Sequence, residues 1–133
     1  TAVTLDLLRG DGLHAGGYLL PGRQLGWEVL QTRLADRIAA RDGSQWPRVL
    51  ETAPGLSSAE ALERGWGLGL AGALDRLLGQ ARDQLGPQSD CWLTGGDACW
   101  LAALLRERAS VVPNLVLEGL WALSQWRETE CAG

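Results

Sequence analysis

One turn in the second half of the chain carries the residue types best suited to hold a ligand by its backbone. Residues 93–98 read Leu-Thr-Gly-Gly-Asp-Ala, a predicted strand that runs through two glycines into a helix. Glycines let backbone N–H groups approach a ligand closely, and the N-terminus of a helix favours negative charge, so a phosphate would suit this turn. Asp97 occupies the N-cap position of that helix, and capping is the structural alternative for its side chain.

Two other segments place hydroxyls or glycines at the ends of predicted strands. In Thr1–Asp6 the threonine hydroxyls can hydrogen-bond phosphate oxygens, although threonine is equally a good strand former. Gly16–Gly22 contains a glycine pair and ends in Pro-Gly. Each segment alone favours an ordinary structural role, and a ligand site is indicated only if the segments occur together.

Several chemistries are excluded because the chain contains no lysine, all 12 basic residues being arginine. There is no P-loop lysine, no Schiff-base lysine and no lysine general base. The single histidine, His14, cannot anchor a His-based zinc site alone. The three cysteines form no CxxC pair, and we expect reduced thiols rather than a disulfide framework, with no metal site in this chain.

The net charge and the hydropathy of the chain limit the classes of partner that it can bind. The net charge is −4 and the arginines are scattered, whereas neutralising a nucleic-acid backbone needs a clustered basic face. No apolar run approaches the roughly 20 residues of a membrane span, and the N-terminus lacks the profile of a signal peptide. We therefore expect no nucleic-acid partner, no membrane contact and a cytoplasmic location.

The first forty residues predict a β-hairpin followed by a helix. Two β-rich runs, Thr1–Leu8 and Leu13–Leu20, are joined by a short turn that contains two glycines, and Pro-Gly ends the second run. From Arg23 to about Ala40 the apolar residues recur at helical spacing. Residues 41–56 contain glycines and prolines and predict a loop.

A capping box, Ser57-x-x-Glu60, begins the longest predicted helix, which Gly86-Pro87 ends. Its predicted core stripe is Leu62, Trp66, Leu70, Leu74, Leu77, Ala81 and Leu85. Four glycines lie within eight residues of this helix: Gly65, Gly67, Gly69 and Gly72. Each costs about 1 kcal/mol relative to alanine, so either close helix packing or the approach of a ligand or backbone must compensate.

Short elements follow: a strand over Cys91–Thr94, a helix over Ala98–Arg108, a proline-interrupted strand over Val111–Leu117 and a last helix over Glu118–Arg127. The order β-β-α-α-β-α-β-α predicts an α/β domain in which a mixed sheet is led by the hairpin and helices pack on it. Most tryptophans are expected in the core: Trp27, Trp66, Trp92, Trp100, Trp121 and Trp126. Trp46 lies in the predicted loop and is a candidate interface residue, and the alternative for several of the tryptophans is a dimer contact or the surface that faces a missing domain.

Taken together and in order, these segments resemble the type III pantothenate kinases, also called the Bvg accessory factor family, within the acetate and sugar kinase, Hsp70 and actin superfamily. The matching pieces span nearly the whole chain: residues 1–6, 12–22, 57–61 with Gly65, 93–98 and 112–120. No single piece is diagnostic, but five pieces in register are specific. The chain departs from the family at Gly26, where Met is common, and at Leu34, where Thr is common.

The resemblance implies an actin-like (ribonuclease H-like) ATPase domain and a kinase that transfers the γ-phosphoryl group of ATP to pantothenate, the first step of coenzyme A biosynthesis. It implies Mg²⁺ with the ATP, a monovalent cation (K⁺ or NH₄⁺), and a homodimer with substrate near the interface. Thr1 falls on the family's Gly-Thr-Ala phosphate motif, and Gly95 and Gly96 fall on its adenosine motif. Ser58 aligns with a pantothenate-binding threonine, whose hydroxyl serine retains.

The resemblance also predicts what residues 1–133 lack. The family's first phosphate loop, its catalytic aspartate and the aspartate before Gly-Thr-Ala all correspond to positions before Thr1, which itself begins inside an apolar run. We expect the C-terminal actin-like domain of a two-domain kinase, inactive without the N-terminal domain, because phosphoryl transfer needs both walls of its site. The alternatives are a non-catalytic accessory protein that acts by binding, and a packing module without a ligand.

Overall fold

The computed structural model describes residues 2–34 and 50–131, with side chains described as far as Trp126. The described elements are, in order, β1 (Ala2–Leu8), β2 (His14–Pro21), α1 (Arg23–Arg33), α2 (Ser58–Leu85), β3 (Trp92–Leu93), α3 (Ala98–Ala102), β4 (Ser110–Val111) and α4 (Leu115–Cys131). The predicted element order and the mixed α/β character are confirmed.

The predicted hairpin is present. β1 and β2 pair antiparallel with Ala2 opposite Pro21, and the register shifts once between Leu7 and Leu8. Its turn is closed by a backbone hydrogen bond from Arg9 N to the Leu13 carbonyl (2.9 Å). Gly12 in this turn has φ +83°, a conformation that glycine adopts without steric cost.

The helix α1 begins at Arg23 as predicted but ends at Arg33, short of the predicted end near Ala40, because Leu34 leaves the helical conformation as its C-cap. Most of the predicted loop and Trp46 lie outside the described residues. The buried residues of α1 are Gly26 and Trp27, and they face the core. Trp27 is only 2% exposed, which confirms its predicted core position.

The long helix α2 supplies most of the core. Its N-cap Ser57 accepts a hydrogen bond from Glu60 N (3.3 Å), as the capping box predicts. Leu70, Leu74 and Ala81 of the predicted stripe are buried, and Leu78 joins them. A cluster around this helix combines residues from three segments: Leu50, Leu70, Leu74, Trp100 and Leu101.

The second half departs from the predicted boundaries. The helix predicted over 98–108 ends early, at Ala102. The strand predicted over 111–117 also ends early, at Val111. After α3, the amides of Arg106 and Glu107 bond the Asp75 carboxylate of α2 (2.9 and 3.2 Å) and so leave the helical pattern. After β4, proline at position 113 lacks the N–H that a sheet ladder needs, and α4 begins two residues later.

The described strands do not form the single mixed sheet that we expected. They form two separate two-stranded sheets, because β1 pairs only with β2 and β3 pairs only with β4 within the described residues. The β3–β4 pair is parallel, with Trp92 opposite Ser110 and Leu93 opposite Val111. Each strand of the β3–β4 pair has only two residues, which is too short to join it to the β1–β2 hairpin.

The tryptophan prediction is wrong for three residues. Trp100 is buried and Trp66 is partly buried, but Trp92, Trp121 and Trp126 are 61%, 68% and 62% exposed. The last two belong to α4, whose other exposed apolar side chains are Val116, Leu117, Leu120 and Leu123. Within the described part of the chain, α4 therefore presents an apolar surface to solvent.

The helical glycines have two different explanations. At Gly67 an added Cβ would lie 2.6 Å from a Leu50 methyl carbon and 3.3 Å from the Trp100 ring, so close packing requires glycine there. At Gly65, Gly69 and Gly72 an added Cβ would meet no described atom within 4 Å. Helix packing thus accounts for Gly67 but not for the other three.

Candidate functional site

The turn after β3 is open to a ligand. Gly95 has φ +92°, which permits the sharp change of direction, and the Gly95 carbonyl accepts a hydrogen bond from Ala98 N (3.2 Å). The Thr94 hydroxyl donates a hydrogen bond to the carbonyl of Pro113, in the segment that follows β4 (3.3 Å). Gly95 and Gly96 are exposed, and an added Cβ at either would meet no described atom within 4 Å. A ligand can therefore reach this backbone.

Asp97 lies at the N-cap of α3, but its side chain does not cap the helix. Its carboxylate instead forms an ion pair with the Arg23 guanidinium at 2.9 Å (Nη2 to Oδ1), and both side chains are mostly buried, at 23% and 31% exposure. Asp97 therefore occupies the N-cap position without the side-chain cap that was the structural alternative for it. Its carboxylate pairs with a charged side chain of another element instead.

Arg23 is a site residue that no motif in the sequence singles out. It is the first residue of α1, and its guanidinium carbon lies 5.3 Å from the centroid of the Trp100 ring. Its carbonyl accepts a hydrogen bond from the Trp66 indole N–H of α2 (2.9 Å). These partners are distant in sequence, so no local pattern could have identified Arg23.

The predicted phosphate and adenosine segments meet at one end of the domain. Thr1 lies outside the described residues, but its neighbour Ala2 pairs with Pro21, two residues before Arg23. Because Arg23 bonds Asp97, the open end of the hairpin and the glycine turn are joined through a single side chain. The structure thus brings together the segments that carry two of the predicted contacts.

Ser57 and Ser58 divide the roles that the sequence left open between them. Ser57 caps α2, and the Glu60 carboxylate accepts a hydrogen bond from Leu56 N (2.9 Å), one residue before the amide that a standard capping box uses. Ser58 is exposed, and its hydroxyl has no hydrogen-bond partner among the described residues. Ser58 is therefore the serine that can take a ligand.

Arg64 fixes the chain segment that leads to Ser58. Its guanidinium donates to the carbonyls of Ala53 and Pro54 (3.0 and 2.9 Å) and pairs with the carboxylates of Glu51 (2.9 Å) and Glu60 (3.4 Å). Its side chain is 16% exposed. One arginine on α2 therefore anchors both the preceding loop and the first turn of the helix.

The described residues contain no group of three or more His, Cys, Asp or Glu side chains that could hold a metal ion. Burial raises the pKa of the Cys91 thiol above its ordinary value, and the nearby Arg82 charge opposes this only in part. Burial therefore favours the protonated form of this thiol, which is the less nucleophilic one. In the same part of the chain, no helix is long and apolar enough to span a membrane.

Comparison with known proteins identifies relatives for almost the whole chain. A family model described as type III pantothenate kinase matches residues 1–80. Three proteins named type III pantothenate kinase match this chain. The one from Pseudomonas aeruginosa is 40% identical to it over 123 residues, and the one from Azotobacter vinelandii is 40% identical over 126 residues. The one from Pseudomonas putida is 42% identical over 123 residues. Each match covers 90% of this chain but only 47–48% of the relative. The chain therefore spans about half the length of these relatives.

Proposed function

We propose that this chain, which belongs to the type III pantothenate kinase family, supplies the C-terminal nucleotide- and substrate-binding half of an enzyme that phosphorylates pantothenate with ATP. This reaction is the first step of coenzyme A biosynthesis. The observation that carries the proposal is 40% identity, over 90% of the chain, to a protein that bears the family name. The geometry of the glycine turn and of Ser58 supports it.

We assign the ATP contacts to Thr1, Gly95 and Gly96. The turn presents exposed backbone beside the open end of the hairpin, where Ala2 pairs with Pro21. Backbone N–H groups in such a turn suit the polar edges of a nucleotide, and a hydroxyl at position 1 suits a phosphate oxygen. An arginine-rich chain without lysine would position the phosphates through these groups rather than through a P-loop lysine.

We assign pantothenate to Ser58. Its hydroxyl is exposed at the first turn of α2, while Ser57 next to it is committed to capping. The Arg64 interactions hold the approach to this turn in place, which would keep Ser58 in one position relative to the substrate. A serine hydroxyl can donate and accept with the hydroxyls and carboxylate of pantothenate.

The rest of the catalytic machinery would lie outside this chain, in an N-terminal actin-like domain that faces this one. The described residues hold no metal-ligating cluster, so the Mg²⁺ that accompanies ATP and the K⁺ or NH₄⁺ would be held by other groups. The exposed apolar side chains of α4 support this arrangement, because such a surface is normally covered by a partner. Residues 1–133 alone would then be inactive.

We also propose that the protein acts as a homodimer in the cytoplasm. Gly65, Gly69 and Gly72 lie on one face of α2 at helical spacing, and no described residue contacts that face closely. Three exposed helical glycines are costly unless another surface approaches them, and a second copy of α2 would explain them. Sedimentation of the Gly69→Leu variant tests this, because a leucine there would keep two such helices apart and leave a monomer.

The nucleotide assignment is tested by titrating ATP into the chain and measuring the thermal unfolding midpoint, which a ligand of the folded state raises. Gly96→Val is the informative variant, because an added Cβ meets no described atom and φ is not positive there, so the fold should tolerate the side chain. We expect Gly96→Val to abolish the ATP-induced rise. The matched control is Gly10→Val in the hairpin turn, where the surroundings are equally open.

An ATP-induced rise that survives in Gly96→Val would contradict the assignment of the turn. No ATP-dependent change in the stability of the full-length protein would favour the packing module without a ligand. Nucleotide binding without phosphorylation of pantothenate in the complete protein would favour the accessory role.

A further inference from the structure

We infer that Arg23 is a positioning residue for the nucleotide, because it fixes the Gly95–Gly96 turn relative to helices α1 and α2. The inference rests on the proposed function, in which this turn contacts ATP. Arg23 lies outside all of the segments that carry the family resemblance. Arg23 would not touch the nucleotide, and its effect would pass through Asp97.

The guanidinium group of Arg23 holds Asp97, the residue at the C-terminal end of the turn. It forms the 2.9 Å ion pair with Asp97, the residue that directly follows Gly96. It also stacks over Trp100, which is 6% exposed and belongs to the central apolar cluster. The planar guanidinium group can satisfy both interactions at once, which a lysine ammonium could not. The turn is therefore attached to the core through its own C-terminal residue.

The backbone end of Arg23 holds the long helix. The Trp66 indole donates to the Arg23 carbonyl, and its ring occupies the space that a Cβ of Gly26 would take. Any side chain larger than that of glycine at position 26 would displace the Trp66 ring. Glycine at 26 and tryptophan at 66 therefore form a matched pair that brings α2 against the first turn of α1.

These contacts make Arg23 the link between the two proposed binding segments. Trp66 lies eight residues after Ser58, or about 12 Å along the helix axis at about 1.5 Å per residue. The distance between bound ATP and bound pantothenate would then depend on α2, Arg23 and Asp97 in series. Reacting atoms must approach to about 3–3.5 Å, so a small displacement of the turn would affect the reaction.

The test is a double-mutant cycle on ATP affinity in the 133-residue chain, with Arg23→Gln, Asp97→Asn and the double variant. Asp97→Asn keeps the side chain's size and removes its charge, whereas Arg23→Gln removes the guanidinium charge and shortens the side chain. Each single variant should raise the Kd for ATP about fivefold to tenfold, as expected for loss of a partly buried charge-assisted bond. The double variant should raise it by no more than a single variant, because one interaction is lost in all three.

The matched control is Arg82→Gln, which breaks the Arg82–Glu107 ion pair. Its side chains are each 29% exposed, close to those of the Arg23 pair, and the bond lies outside the glycine turn. Arg82→Gln should lower the unfolding midpoint but leave the Kd for ATP within about twofold. Amide hydrogen exchange without nucleotide provides a second readout, in which Arg23→Gln and Asp97→Asn, but not Arg82→Gln, should accelerate exchange of the Ala98 amide, which donates to the Gly95 carbonyl.

The role of Arg23 would be overturned by unchanged ATP affinity in the single variants, by fully additive effects in the double variant, or by an equal loss in Arg82→Gln. Unchanged exchange of the Ala98 amide in Arg23→Gln would also overturn it. A wild-type chain that binds no ATP would contradict the proposed nucleotide site itself. The exchange readout needs no nucleotide, and so it separates these two failures.

Discussion

At the residue scale, the candidate site depends on one local hydrogen bond and one long-range ion pair. Ser57 accepts a hydrogen bond from Glu60 N, three residues later in the chain, and so caps α2. Asp97 pairs with Arg23 of another element, and its side chain makes no capping bond. A local pattern could therefore predict the role of Ser57, whereas no local pattern could identify the partner of Asp97.

Gly26 provides a stability prediction at this scale. Gly26→Ala would force a methyl group into the Trp66 ring, and overpacking of this kind costs about 1–3 kcal/mol. We expect urea denaturation to show that decrease in the free energy of unfolding. Gly79→Ala in α2 is the control, because open space there should allow a gain of up to about 1 kcal/mol. Equal stability of Gly26→Ala and wild type would refute the close packing.

Cys91 provides a pH prediction. Burial raises the pKa of its thiol in the folded chain above the unfolded value, so folding favours the protonated form. Its contribution to stability is complete below the unfolded pKa of about 8.5 and is lost as the pH rises through the higher folded pKa. The free energy of unfolding should therefore fall more steeply above about pH 8.5 in wild type than in Cys91→Ser. Parallel pH curves would contradict this.

At the scale of elements, long periodic segments were predictable and short ones were not. α2 follows its predicted bounds because a capping box begins it and glycine with φ +105° at position 86 follows it. The helix predicted over 98–108 ends at Ala102 because the Asp75 carboxylate captures two backbone amides, a tertiary contact that periodicity does not encode. The strand predicted beyond Val111 fails at Pro113, whose effect was visible but was underestimated.

The first turn of α2 allows capping and substrate binding to be separated. Ser57→Ala should lower the free energy of unfolding by about 1 kcal/mol because it removes the N-cap. Ser58→Ala should change it by less than about 0.5 kcal/mol, since the exposed hydroxyl bonds no described residue. Thermal unfolding of the two variants measures the difference. The opposite order would show that Ser58 is the structural serine and would remove it from the proposed pantothenate site.

At the scale of the whole molecule, the described residues form a small core around α2 and leave α4 exposed. The core cluster draws on Leu50, α2 and α3, whereas every described side chain from Val116 to Trp126 is exposed. Periodicity identified α4 as a helix but could not show which surface would cover it, and the expected core positions of Trp121 and Trp126 were therefore wrong. Because the chain matches only about half of each relative, we propose that the other half covers these residues.

The most direct test of the proposal measures pantothenate phosphorylation by the purified 133-residue chain, alone and mixed with the N-terminal half of one of the matched relatives. ATP consumption that depends on pantothenate is the readout, and each half alone is the control. We predict no turnover above background by either half and measurable turnover by the mixture, because phosphoryl transfer needs both walls of the site. Turnover by the 133-residue chain alone would contradict the central claim that it supplies only one of them.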